Sequence, residues 1–332
     1  MKPQIGITMG DPAGVGPELI VKLLQNKNFD LSGFIIFGSY KILKNELNKY
    51  KINIPVKKIT SEKLIDCSSN TIKLFETREI NFNYNMGEIN PDCGKLAYES
   101  ILNAIDFAKK GIIKGIVTAP INKESLKLAS IDLIGHTEIL SHKTKSKNVF
   151  MLMVNDDIKV ILCTIHVPLL KAILSLSESL IYNTINGANK ACQHFGIKRP
   201  KIGVSGLNPH AGENGTMGEE EEIFIKPAIA TAINSGLNVL GPISPDVIYS
   251  MAREKKIDIV VSLYHDQGLI PFKYLGIGNG VNITIGLPFV RTSPDHGTAF
   301  DIAGKGIANP ESFFRAVKYA QKMVVGDIWN LV

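Results

Sequence analysis

Apolar residues along the chain recur in two patterns. Runs such as "QIGITMG", "FIIFGS", "GIIKGIVTAP", "VFMLMV", "KVILCTIH", "KIGVSGLN" and "IDIVVSLYH" are dense in Ile and Val and close on Gly, Pro or a polar residue. They predict buried strands followed by turns. Between them, "GPELIVKLLQN" and "KLAYESILNAIDFAKKG" carry apolar residues at helical spacing, the first with Pro17 near its opening turn, the second closed by Gly111. "EEIFIKPAIATAINSG" is a third helix, with acids at its start and Gly236 at its end. Strand-like and helix-like segments alternate almost throughout, which predicts parallel sheets covered by helices. There is no internal repeat and no low-complexity tract.

In open parallel sheets, ligands bind beyond the carboxyl ends of strands. Three strand candidates run into a histidine at that edge: His166 after "VILCTI", His210 after "IGVSGLNP" and His265 after "IVVSLY". Three neutral imidazoles with an open position would make a catalytic metal site. The alternative for each is a hydrogen-bonded turn residue, and the spacing is not that of a standard zinc motif. Asp266 follows His265, and Asp246 lies in "GPISPDV". Either carboxylate could orient an imidazole or take a proton, and Asp246 could equally cap the helix after Pro245.

A second group of residues suits an anion. His136 and Thr137 stand just ahead of a helix-like run in "LIGHTEILS", where N-terminal N–H groups favour negative charge. Lys273, Asn282 and Arg291 lie at the edges of apolar runs and could clamp a phosphate or carboxylate. Three solvated polar residues would read the same way.

The totals narrow the classes. At 332 residues the chain is long enough for two domains, and 45% hydrophobic with 20% charged residues is ordinary for a soluble globular protein. The net charge of +6 comes from scattered lysines; the most basic run, "KYKINIPVKK", reads as an exposed strand and turn, so nucleic acid is not an expected partner. Cys67, Cys93, Cys163 and Cys192 are far apart, which fits a reduced protein without a zinc knuckle. No apolar run is long enough for a bilayer and no signal core opens the sequence, so a cytoplasmic protein away from membranes is expected.

Longer motifs carry a resemblance. "GITMGDPAGVGPE" is similar to the opening of isocitrate and isopropylmalate dehydrogenases, and "HGTAFDIAGKGIANP", residues 296–310, is similar to their cofactor loop. Through "TMGDPAGVGPE", "VTAPINK", "GHTE", "GLNPHAGE", "YHDQGLIPFK" and "GLPFVRTSPDHGTAFDIAGKG", in that order, the chain resembles the 4-hydroxythreonine-4-phosphate dehydrogenase family of vitamin B6 biosynthesis. The resemblance implies an α/β fold of two α/β/α domains with the active site in their cleft at a homodimer interface. It places one domain at residues 1–130 with 285–332 and the other, carrying the metal ligands and the dimer contacts, at 131–284. It implies a divalent metal (Zn, Co or Mg) on His166, His210 and His265, with one subunit completing the other's shell. It assigns the phosphorylated substrate to His136, Thr137, Lys273, Asn282 and Arg291. NAD or NADP falls to His296, Gly297, Thr298, Ala299, Asp301 and Asn309. The catalytic base stays open: Asp246 and Asp266 are the candidates, with a metal-bound water as the fallback. The implied reaction is oxidation of 4-phosphooxy-L-threonine followed by decarboxylation to 3-amino-2-oxopropyl phosphate. The alternatives are a dehydrogenase of 4-phospho-threonate or 4-phospho-erythronate, a metal-dependent hydrolase or aldolase, and a non-catalytic anion-binding protein.

Overall fold

The computed structural model of the chain describes residues 5–26, 29–60, 70–133, 135–276 and 278–325. Cys67 lies outside them. The chain divides into two compact units, Met1–Lys147 with Leu287–Val325, and Asn148–Gly286.

The first unit opens with β1 (Ile5–Thr8), α1 (Gly16–Leu24), β2 (Phe34–Gly38), α2 (Tyr40–Lys49), β3 (Val56–Ile59), β4 (Ile72–Glu76), α3 (Pro91–Lys109), β5 (Gly115–Thr118), α4 (Lys123–Leu128) and α5 (His136–Thr144). β1, β2 and β5 are buried along their whole length, which is why they read as unbroken apolar runs. The start of α3 is fixed locally: Asn90 Oδ1 accepts from Asp92 N and Cys93 N at 2.9 and 3.2 Å, a cap that contributes about 1 kcal/mol.

The second unit holds β6 (Phe150–Val154), β7 (Lys159–Leu162), α6 (Leu169–Ser175), α7 (Glu178–His194), β8 (Ile202–Ser205), α8 (Lys226–Asn234), β9 (Val239–Ile243), α9 (Pro245–Arg253), β10 (Ile259–Ser262), α10 (His265–Tyr274) and β11 (Val281–Ile285). The chain then returns to the first unit through β12 (Val290–Pro294) and α11 (Glu311–Val325).

Strand order in the first unit is β3-β4-β2-β1-β5-β12, parallel throughout. In the second it is β11-β6-β7-β10-β8-β9. Here the expectation of purely parallel sheets fails, because β11–β6 and β6–β7 are antiparallel. The cause is the short link between β6 and β7. Asn155 Oδ1 accepts from Asp157 N and Ile158 N at 2.9 and 2.8 Å, closing a tight turn that leaves no room for a helical crossover.

The division falls after Lys147, not near residue 130. α5 stays with the first unit because α3 holds it: Lys109 Nζ donates to Lys143 O at 2.5 Å, and Lys143 Nζ lies 5.9 Å from the Tyr98 ring centroid.

Turns beyond the strand ends are crowded. After β1, Gly10 has φ 75°, and a Cβ there would sit 2.3 Å from Pro120 O in the turn after β5. After β10, the buried Gln267 accepts from Leu263 N at 2.7 Å and donates to Gly206 O at 2.8 Å, tying that turn to the exit of β8. Beneath it Val160, Leu162, Ile248, Val260 and Phe272 form one apolar cluster. Among the described residues no helix is long and apolar enough to cross a membrane.

Replacing Gln267 by Leu keeps the volume but strips partners from a buried N–H and a buried C=O, at about 1–3 kcal/mol each. Gln267→Leu should therefore lower stability by roughly 2–6 kcal/mol, read as a lower urea midpoint for the unfolding step of the second unit.

Candidate active site

The three strand-end histidines lie on three different turns of the second unit. His166 follows β7 on an exposed stretch, and His265 is the first residue of α10. Their ring centroids are 5.6 Å apart. They line one recess together with Tyr264, Asp266 and Leu169. Asp266 Oδ1 is 2.6 Å from His265 Nδ1. A carboxylate on Nδ1 fixes the ring and leaves Nε2 as the donor, the usual arrangement for a metal-binding imidazole. Two imidazoles with one so held fit a divalent ion chemically.

His210 sits in a different setting. Residues 210–214 all have positive φ, from 43 to 77°, although only Gly212 is a glycine. This left-handed turn is held by Glu221, a buried carboxylate. Its Oε1 accepts from Leu207 N and Asn208 N, each at 2.8 Å, and its Oε2 accepts from Asn208 Nδ2 at 2.9 Å. His210 is exposed, close enough for its charge to act on Asp246. Among the described residues, no group of three His, Cys, Asp or Glu side chains converges on one metal position. The structure thus joins His166 with His265 and Asp266, and His210 with Asp246.

Asp246 lies in the first turn of α9 and accepts from the Ser244 hydroxyl. That hydrogen bond above all, with a smaller contribution from its own backbone N–H and the least from the nearby His210, holds its pKa below the ordinary carboxylate value, so it is ionised at neutral pH. Lys273 is exposed in the last turn of α10, and Asn282 is half-buried on β11 opposite Met153.

The first unit holds the other group. Arg291 is on β12, 2% exposed, and its Nη2 donates to Thr118 Oγ1 at 2.8 Å. It is an interior residue and not the edge cation that its flanking sequence implied. Desolvation pulls its pKa down to about 9, and Glu138 opposes the shift. His136 and Thr137 are the first two residues of α5, inside the helix and not ahead of it. Burial drives the pKa of His136 well below 6.5, and the Arg291 charge pushes the same way; a hydrogen bond to the Ala119 backbone opposes both. His136 is therefore neutral at pH 7, and its Nε2 has no partner among the described residues. A neutral imidazole and a desolvated guanidinium at a helix N-terminus are suited to an anion.

The loop of residues 296–310 also belongs to the first unit. Thr298 O accepts from Val15 N at 3.0 Å, Ala299 has φ 47°, and the space around Gly297 is open. His296 Nδ1 is 2.9 Å from Gly297 O, while His296 Nε2 and Asp295 Oδ2 are buried without partners among the described residues. Asp301 and Asn309 are exposed, and Asn309 Oδ1 accepts from Glu311 N at the start of α11. An open backbone stretch beside two unsatisfied polar atoms fits a ligand with its own donors and acceptors, as a dinucleotide has.

With the sites described, comparison with known proteins decides the family. The family model described as "Pyridoxal phosphate biosynthetic protein PdxA" matches residues 30–320. The chain belongs to the PdxA family. It is 41% identical over 321 residues to a 4-hydroxythreonine-4-phosphate dehydrogenase of Beijerinckia indica, covering 97% of this chain and 95% of that protein. It is 39% identical over 327 residues to a D-threonate 4-phosphate dehydrogenase of Salmonella typhimurium, covering 96% and 98%. The crystal structure of a 4-hydroxythreonine-4-phosphate dehydrogenase from Klebsiella pneumoniae superimposes with a TM-score of 0.88 at 38% identity, covering 98% of both chains. As a PdxA-family member the chain is a dehydrogenase acting on a CH–OH group.

Sequence reasoning quoted "MGDPAGVGPE" for its resemblance and assigned no role to Asp11 within it. Asp11 is fully buried, accepts from Ala13 N at 2.9 Å and has Ser125 and Asn122 beside it. Burial raises its pKa from 3.8 to about 6. Between those values the folded chain keeps a proton that the unfolded chain has lost. The stability linked to Asp11 is thus fully present below pH 3.8 and is lost as pH rises through about 6. Asp11→Asn removes this dependence. Relative to the parent, the variant should gain up to about 3 kcal/mol between pH 4 and pH 7, measured as the difference in their thermal stability profiles.

Proposed function

We propose that the chain oxidises the secondary hydroxyl of a phosphorylated four-carbon acid, 4-phosphooxy-L-threonine in the first instance, with NAD or NADP taking the hydride. The observation that carries this reading is the pairing of buried Arg291 with neutral His136 at the start of α5. A phosphate there offsets both effects that disfavour the cluster, the desolvation of Arg291 and its repulsion of a protonated His136. Thr137 adds a hydroxyl and the helix N–H groups. Holding the phosphate fixes the reacting carbon through binding energy remote from it.

His166, His265 and His210 would hold a divalent metal, which when bound supplies Lewis-acid polarisation of the substrate hydroxyl. Asp266 keeps the His265 ring in the tautomer with Nε2 free to ligate. Asp246, ionised at neutral pH, is the candidate to accept the hydroxyl proton, with Asp266 as the alternative. The loop of residues 296–310 would hold the adenosine half of the dinucleotide, which serves as hydride acceptor. The oxidised substrate is a 2-amino-3-oxo acid, and such β-keto acids lose CO2, here leaving 3-amino-2-oxopropyl phosphate.

We also propose a homodimer that completes the metal shell. Leu169, Leu170 and Leu174 of α6, which follows His166, and Ile270 and Tyr274 of α10, which opens with His265, are 56–90% exposed. Apolar exposure of that extent suits burial against a second copy, whose His210 would supply the third imidazole.

A second reading keeps the reaction and changes the substrate. D-threonate 4-phosphate has a hydroxyl in place of the amine, and relatives of similar identity bear that name. The deciding assay follows reduced-nicotinamide absorbance with each substrate, with and without a chelator. The higher kcat/KM is expected for 4-phosphooxy-L-threonine, with loss on chelation. A preference for D-threonate 4-phosphate selects the second reading, and turnover of neither rejects both.

Arg291→Lys keeps the charge but loses the planar fork. It should lower kcat/KM for the phosphorylated substrate by roughly 10- to 150-fold, the equivalent of about 1.5–3 kcal/mol for one charge-assisted hydrogen bond. The weak turnover of the unphosphorylated substrate should hardly change. An equal loss on both substrates would show that Arg291 does not hold the phosphate.

A further inference from the structure

We propose that Glu18 and Lys22 of α1, with Lys49 of α2, are positioning residues that clamp the loop of residues 296–310 into the shape that accepts the cofactor. The inference rests on the reading of that loop as the cofactor site. None of the three side chains is assigned to the cofactor, the substrate or the metal above.

The geometry is specific. Lys22 Nζ lies 2.8 Å from Glu18 Oε1 and donates to Gly306 O at 3.0 Å and to Ala308 O at 2.6 Å. Glu18 Oε1 also accepts from Ala308 N at 2.9 Å. The amide and the carbonyl of Ala308 are therefore both taken by one ion pair. Lys49 Nζ donates to Gly304 O at 2.8 Å.

Burial and chain path show why this is more than surface decoration. The Glu18 side chain is 2% exposed and that of Lys22 15%. A buried ion pair satisfied only by itself adds little to stability, because desolvation offsets the attraction. This pair turns Lys22 Nζ and Glu18 Oε1 towards backbone atoms of a loop without helix or strand of its own. The segment leading into the same helix holds the loop's other end. Val15 N, just ahead of α1, donates to Thr298 O, and Gly14 lets the loop approach, since a Cβ there would lie 3.0 Å from Thr298 O. Between the two anchors Asp301 and Lys305 face solvent, as do Ile307 and Asn309 within or just past the clamped stretch.

A loop fixed before the cofactor arrives spares binding the cost of ordering it. Loss of the clamp lowers the competent fraction and raises the apparent dissociation constant by its reciprocal. The variants to test are Lys22→Met, which keeps the aliphatic stem and removes the charge, and Lys49→Met at a more exposed position. Amide hydrogen exchange of residues 304–308 is measured on the cofactor-free chain, and KM values for dinucleotide and phosphorylated substrate are measured separately. The expected result is faster exchange in both variants. The dinucleotide KM should rise about 10-fold for Lys22→Met and about 3-fold for Lys49→Met, with kcat at saturation and substrate KM unchanged. Unchanged exchange overturns the clamp. Faster exchange with an unchanged dinucleotide KM also overturns the proposal and traces the failure to the loop's cofactor assignment. Equal damage to both KM values and kcat identifies a general structural role and overturns it too.

Discussion

Backbone N–H and C=O groups that leave a buried strand must find partners before they reach water, and in this protein side chains supply them. Glu221 takes two amides after β8. Gln267 bridges the exits of β10 and β8. Asp11 takes Ala13 N after β1, and Glu18 takes Ala308 N in the loop that follows β12. Each is buried, and each bonds to backbone in a turn next to a residue group with chemical potential. An unpaired buried backbone group costs free energy comparable to a lost hydrogen bond, so these side chains decide which loop shapes exist at all. The functional groups are placed by this layer of polar residues more than by the sheets themselves.

The same layer explains the two electrostatic extremes of the first unit. Arg291 is surrounded by protein and loses hydration, so its cation is held at a cost. His136 responds to the same burial, and to that cation, by staying neutral. Neither state would be chosen for stability alone. Strain of this kind concentrates where a ligand is to be received.

The architecture was legible because buried parallel strands leave a strong signature. The seven runs quoted as strands lie on β1, β2, β5, β6, β7, β8 and β10. The antiparallel pair at β6–β7 was missed, since an Asn turn in "VNDDIK" is a smaller signal than a run of Val and Ile. The His166–His265 pair was legible as strand-end histidines. The depth of Arg291 was not, because one polar residue in "PFVRTSP" looks the same at a strand edge and inside it. Glu18 and Lys22 read as ordinary helix charges four residues apart; only the return of the chain some 290 residues later shows what they hold.

The turn at residues 210–214 has one more implication. Its φ values mirror those of an ordinary helical turn, at five successive positions. For L-residues that handedness costs roughly 1–2 kcal/mol per residue. Along this stretch the usual ranking of side chains is inverted: the stereochemistry the backbone prefers there is that of the opposite enantiomer. A semisynthetic chain with D-alanine at Ala211 would shed the conformational strain of that residue, so a chirality swap that breaks an ordinary helical turn would strengthen this one.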